Sequence, residues 1–195
     1  MEIADFHRGH DHFERFLARG AHGLELLPAE IEILPDDRGA PRVHAPALEA
    51  QGVLARVSLT HTRGRAAGIA ALAQADGDEG LGIDIERLLP RPEGFARTAF
   101  TDAELALLDD VPDAQADEWL LRLWCAREAA GKALGSGLLG GEDAPRGTAI
   151  DLTGGSVSLT AGARRLLAWT HRSGELVLAT VLHPDPAITD EEGSA

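Results

Sequence analysis

An α+β fold is predicted, organised as two similar halves, each a small antiparallel sheet packed with a long helix. Three observations point there. Runs of strand-like alternation are separated by tight turns, at residues 53–62 and 67–73 and again at four places between 148 and 182. One uninterrupted helical stretch, 116–134, is long enough to back a sheet. The tetrapeptide Val57-Ser58-Leu59-Thr60 recurs as Val157-Ser158-Leu159-Thr160, which suits two related halves. A chain of 195 residues with 22 glycines fits one large turn-rich domain, or two small halves sharing a core.

The elements follow in order. Residues 8–20 read as a short helix with Phe13, Phe16 and Leu17 on one side. His7, His10, His12 and His22 crowd the same segment, but no nearby carboxylate pattern gives them a metal geometry. Residues 35–46, rich in Pro, Asp, Gly and Arg, read as a loop. Strands at 53–62 and 67–73 join through a turn at Arg63-Gly64-Arg65, and Asp76-Gly77-Asp78 forms the next turn before a strand at 81–86. Pro90 and Pro92 break the chain. Thr101-Asp102-Ala103-Glu104 has the form of a capping box and starts a helix over Leu105–Leu108. The long helix has Trp119, Leu120, Leu123, Trp124 and Leu134 as core candidates and stops at Gly135, with a glycine-rich loop running to Gly141. Strands at 148–153, 155–161, 165–171 and 175–182 complete the fold. His183-Pro184-Asp185-Pro186 ends it, and the acidic residues 187–195 are expected to fray.

Charge and cysteine content restrict function. A net charge of −14 argues against non-specific nucleic-acid binding. No apolar run reaches the ~20 residues of a membrane span, and the first residues lack a secretory pattern, so a cytoplasmic protein is expected. The single cysteine, Cys125, excludes an internal disulfide and a cysteine-rich zinc site; its mid-helix position reads as a buried small residue. Within the acidic chain lies a basic island. Between Arg38 and Arg65 the fixed charges are five arginines against Glu49 alone, with His44 and His61 interspersed, which suits an anionic ligand.

The chemistry concentrates in two segments. In Gly82-Ile83-Asp84-Ile85-Glu86, strand alternation sends Ile83 and Ile85 to one face and Asp84 and Glu86 to the other. Two carboxylates about 7 Å apart on one face repel unless a cation lies between them, and Mg²⁺ with its preference for oxygen ligands resolves that conflict. The long helix carries Trp124, Glu128 and Lys132 at i, i+4 and i+8, roughly on one face. Lys132 is the only lysine, against 17 arginines. A lysine is a compact point charge suited to one phosphate oxygen, whereas an arginine is a planar fork. The bland alternative is an exposed Glu–Lys pair worth about 0.2–0.5 kcal/mol on a solvated helix. Gly131 costs about 1 kcal/mol relative to alanine inside a helix, which makes sense if another backbone or a ligand approaches closely there.

The pairing of Gly82-Ile83-Asp84-Ile85-Glu86 with Trp124-Cys125-Ala126-Arg127-Glu128-Ala129-Ala130-Gly131-Lys132, some forty residues later, resembles the 4′-phosphopantetheinyl transferase superfamily. Phe100-Thr101-Asp102-Ala103-Glu104 is similar to that family's Phe-Ser/Thr-x-x-Glu segment. Val57-Ser58-Leu59-Thr60-His61-Thr62 resembles its Ile-Ser-x-Ser-His-Ser strand, and His183-Pro184-Asp185 the segment closing many members. The resemblance runs over residues 38–186. More than 80 residues precede the acidic strand, so the chain looks like the larger surfactin-synthetase-activating (Sfp) type, a monomeric pseudo-dimer of two α+β halves. Similar domains also occur within polyketide and polyunsaturated fatty acid synthases.

What the resemblance implies is Mg²⁺-dependent transfer of the 4′-phosphopantetheine arm of coenzyme A to a serine of an acyl or peptidyl carrier protein. Asp84, Glu86 and Glu128 would hold the metal, Lys132 would contact phosphate with Arg127 beside it, and Glu128 would accept the serine proton directly or through water. Thr60 and His61 would reach the coenzyme, His61 at its 3′-phosphate. The family's Gly-Lys-Pro motif stands here as Arg38-Gly39-Ala40-Pro41-Arg42, with Arg38 or Arg42 as replacement cations, and Arg127 stands where the family usually has lysine. Residues 1–83 then form the half with the coenzyme-binding loop, and 84–186 the half with the metal site. A catalytically silent structural or carrier-docking domain would be free to lose these acids and Lys132. An unrelated nucleotide enzyme would be expected to show a P-loop or dinucleotide fingerprint, and neither occurs.

Overall fold

The computed structural model describes residues 28–37, 39–74, 80–137, 141 and 143–183. After a 3₁₀ turn at Pro28–Glu30, β1 (Glu32–Pro35) and β2 (Pro41–His44) form an antiparallel hairpin, and a four-residue helix α1 (Pro46–Glu49) follows. A second antiparallel hairpin joins β3 (Val53–Thr62) to β4 (Arg65–Gln74). Then come β5 (Gly80–Arg87), the short helices α2 (Phe95–Ala99) and α3 (Asp102–Ala106), the long helix α4 (Ala116–Ala133), and β6 (Arg146–Asp151), β7 (Ser156–Ala161), β8 (Arg164–Ser173) and β9 (Leu176–His183). The last five strands make one antiparallel sheet in the order β5-β9-β8-β7-β6. The mixed α+β class with antiparallel sheets therefore holds, with one long helix among the described residues. The helix expected at 8–20, the four early histidines, the turn at 76–78 and the tail at 187–195 lie outside the described residues.

Residues 35–46, read as a loop, instead contain the β1–β2 turn and all of β2. Proline and glycine mark the turn correctly, but Ile33 and Val43 pack with Ile31, Val53, Ala55 and Val57 in a small apolar cluster that holds these four-residue strands in place. Short strands of this kind are made by tertiary packing rather than by local propensity.

The main core lies between the five-stranded sheet and α4. Leu121, Leu123, Cys125, Ala126, Ala129 and Ala130 meet Val157, Leu159, Leu166, Ala168, Val177, Ala179 and Val181. The helix runs from β8, where Arg122 donates to the Thr170 carbonyl and hydroxyl, to β5. At β5 the approach is backbone to backbone. A Cβ placed on Gly82 would lie 1.8 Å from the Ala129 carbonyl oxygen, so only glycine admits the helix there.

β5 is an edge of the sheet, paired only with β9, and the β3–β4 hairpin covers it. Ala67 and Ile69 of β4 pack with Ile83 and Ile85, and the Ile83 N–H donates to Ser58 Oγ on β3 at 3.1 Å. The expected division between residues 83 and 84 falls inside this strand, which has β9 on one side and β3 on the other. The two sides of that expected division are unequal in content. The N-terminal one shows two hairpins and a four-residue helix among the described residues, and the C-terminal one a five-stranded sheet with an 18-residue helix. No helix among the described residues is long and apolar enough to cross a membrane.

Candidate active site

β5 alternates as expected. Ile83 and Ile85 are fully buried toward the β4 side, while Asp84 shares the face of Gly80 and Gly82 and looks toward α4. Helix periodicity then places Lys132 above it. The Lys132 Nζ donates to Asp84 Oδ1 at 2.8 Å and to the Ile83 carbonyl at 2.9 Å. Asp84 Oδ1 also accepts from the Thr60 hydroxyl at 2.9 Å. Asp84 is 6% exposed, and its second oxygen, Oδ2, is buried without a hydrogen-bond partner. A bare buried carboxylate oxygen is costly unless something positive meets it.

Glu128 sits one turn before Lys132, half-buried. Burial pushes its carboxyl above the ordinary range; Asp84 and Glu86 push the same way, and Lys132 opposes them. The same two acids reinforce burial in pushing the Cys125 thiol well up, so this cysteine is an inert core residue as expected. Glu86 is half-buried, and the Arg91 guanidinium lies 3.4 Å from its Oε2. Asp84, Glu86, Glu128 and Lys132 are therefore electrostatic neighbours, although they come from segments some forty residues apart.

Among the described residues no group of three or more His, Cys, Asp or Glu side chains is gathered tightly enough to hold a metal ion. Lys132 and Thr60 bind Asp84 and Arg91 pairs with Glu86, so each acid of β5 has its own partner. The acids are all oxygen donors, the ligand type a hard divalent ion takes, and one Asp84 oxygen is buried without a hydrogen-bond partner.

Other expected site residues lie elsewhere. Arg127 was expected beside phosphate. It is buried, with Nε donating to the Pro145 carbonyl at 3.0 Å, Nη1 donating to the Ala99 carbonyl, and Glu104 Oε1 3.5 Å away. One helical position turns a side chain by about 100°, which carries Arg127 away from Glu128 and Lys132 and toward the core. Burial works against its charge, and Glu104 offsets that. Glu104 completes the expected capping box with Thr101 and also accepts from the Gly147 N–H at 3.0 Å, so this segment staples α3, α4 and β6 together.

Thr60 meets Asp84 through its hydroxyl. His61, next along β3, is exposed and alternation directs it to the opposite face. Arg42 is exposed on β2 with Nε 3.4 Å from Asp36, and Arg38 lies outside the described residues. Gly131 accommodates backbone rather than ligand. A Cβ there would lie 2.5 Å from the Gly137 carbonyl oxygen, and the Ser136 and Gly137 N–H groups both donate to the Gly131 carbonyl. Two neighbours of the acids escaped sequence reasoning, Ser58 and Arg91. The one available signal was Ser58 and Thr60 at i, i+2 on a strand, which marks a polar face.

A family model described as the 4′-phosphopantetheinyl transferase superfamily matches residues 80–181, just over half of the chain. The match begins at β5 and takes in Asp84, Glu86, Glu128 and Lys132. Among curated proteins, none matches the chain.

Proposed function

This chain belongs to the 4′-phosphopantetheinyl transferase superfamily, and we propose that it moves the 4′-phosphopantetheine moiety of coenzyme A onto a serine of an acyl or peptidyl carrier protein. The observation that carries the reading is the direct Lys132–Asp84 contact, 2.8 Å long, which joins the acidic strand to the helix inside the matched region. The serine hydroxyl oxygen attacks the phosphorus that bears pantetheine. The bond from that phosphorus to the bridging oxygen breaks, and adenosine 3′,5′-bisphosphate leaves. Glu128 would receive the serine proton, directly or through water. Lys132 would offer its ammonium to the negative charge growing on the leaving phosphate.

Asp84, Glu86 and Glu128 would hold Mg²⁺, which when bound would supply charge neutralisation at the diphosphate. His61 would serve the coenzyme's 3′-phosphate, and Arg38 or Arg42 would replace the missing cation of the coenzyme-binding loop. We further assign the chain to the Sfp type, acting as a monomeric pseudo-dimer divided near residue 83; the support is the length of chain before β5 and the seating of the β3–β4 hairpin against that strand.

The test is intact-mass analysis of an apo-carrier protein incubated with the enzyme, coenzyme A and Mg²⁺. A gain of one phosphopantetheine, lost with Asp84→Ala and on chelation, is expected. No gain on any of several carriers, with coenzyme A still bound, would instead support a silent docking domain.

A further inference from the structure

We propose that Arg127 is a positioning residue that fixes the rotation of α4 about its own axis, and with it the direction in which Glu128 points. The role rests on the transfer reading, with Glu128 as the proton acceptor. Glu128 lies between two clamps on α4. At about 100° per residue, Lys132 stands ~40° to one side of it and Arg127 ~100° to the other. Lys132 ties its side to β5 through the Ile83 carbonyl and Asp84. Arg127 ties the other side to the end of α2 and the start of β6, through the Ala99 and Pro145 carbonyls. Its guanidinium lies over the Phe100 ring, 5.4 Å from the centroid, and Glu104 faces it at 3.5 Å. Glu104 is itself held by the N–H groups of Thr101 and Gly147, and is 1% exposed. Apolar burial has no direction, so it leaves a helix free to roll by the slack of its packing. A planar fork with two carbonyl acceptors from different segments removes that freedom. Such a role differs from contact with phosphate, the one implied for Arg127 by resemblance. A residue 5% exposed, with Glu104 already facing its charge, is poorly placed to meet a phosphate.

The experiment is a double-mutant cycle on transfer to an apo-carrier, with coenzyme A and Mg²⁺ present and the rate read by intact mass. Arg127→Met should lower kcat by about 10²-fold, the scale of a 1 Å misplacement, and leave the KM for coenzyme A at the wild-type value. In the Glu128→Gln background the same substitution should cost no more than about twofold, because residues that act as a unit do not add. Arg127→Lys should lose as much as Arg127→Met, since one ammonium does not reproduce a fork. Melting temperatures separate placement from stability. Arg127→Met leaves Glu104 buried without its nearest cation. Adding Glu104→Gln should raise the melting temperature but not the rate, and this double variant replaces Arg127→Met if that one does not fold. Equal losses with and without Glu128 overturn the role, as does a rate regained when Glu104→Gln is added. A raised coenzyme KM in Arg127→Met that Arg127→Lys reverses assigns Arg127 to phosphate and overturns it too. Wild-type protein that transfers nothing to any of several carriers removes the transfer reading and this role with it, a failure distinct from the others, which all require active wild type.

Discussion

Val57–Thr60 in β3 and Val157–Thr160 in β7 spell the same four residues and serve opposite ends. In β7 the apolar pair faces α4: Leu159 is 1% exposed in the main core, while Ser158 and Thr160 lie half-buried on the other face. In β3 the polar pair faces inward. Ser58 and Thr60 are buried against β5, and Leu59 is 38% exposed. The difference comes from the neighbours. β7 is an interior strand with one face on a helix, whereas β3 pairs with β4 alone and spends its other flank covering the edge of β5. With a side-chain period of two, what faces inward depends on what the strand is laid against. The β7 copy thus fills the main core, while the β3 copy gives Val57 to the small apolar cluster and turns Ser58 and Thr60 to β5.

The largest expected effect follows from that contrast. Leu159→Ala should cost about 2–5 kcal/mol of stability by urea denaturation, as a buried leucine does. The matching Leu59→Ala should stay within about 0.5 kcal/mol, as for surface positions. Equal losses would break the contrast.

The pH response should sharpen it, with a smaller effect on stability, because the two ends of α4 carry glutamates shifted in opposite directions. At the sheet end, burial pushes Glu118 up, but its bonds to Arg172 and Arg122 outweigh this and hold its carboxyl below the ordinary range. The folded protein then binds that proton more weakly than the unfolded chain does. Its contribution is present above the ordinary glutamate range and lost as pH falls through the lowered folded value. At the site end Glu128 is raised, the folded protein binds its proton more tightly, and stability falls as pH climbs from the ordinary range through the raised folded value. Melting curves between about pH 3 and pH 8 should therefore show Glu118→Gln losing part of the decline on the acid side. Glu128→Gln should become more stable near neutrality while transfer drops about 10²–10⁴-fold. A Glu128→Gln protein that is less stable at neutral pH would remove the crowding of acids from the site.

Much of the fold was legible because its signals are local. The period-two runs located β3 to β9 to within a few residues, and the Thr101–Glu104 spacing identified a capping box that the structure contains. The β1–β2 hairpin was not legible, because Ile33 and Val43 become strand residues only by packing on β3. Asp84, Glu86, Glu128 and Lys132 could be picked from alternation and helical spacing. Arg127 could not be separated from them, since its partners Glu104 and Pro145 lie 23 residues before it and 18 after it. Nor does any local pattern reveal that Thr60 meets Asp84, a pairing made by the hairpin folding over the edge of the sheet.

The acids of β5 and the Glu128–Lys132 pair of α4 should act as one site for a metal-bound diphosphate. Calorimetric titration of coenzyme A with and without Mg²⁺, in wild type and in Asp84→Asn, tests it most directly. Coenzyme A should bind more tightly with Mg²⁺ in the wild type, and that gain should vanish in Asp84→Asn. Coenzyme affinity indifferent to both the ion and the substitution would contradict it.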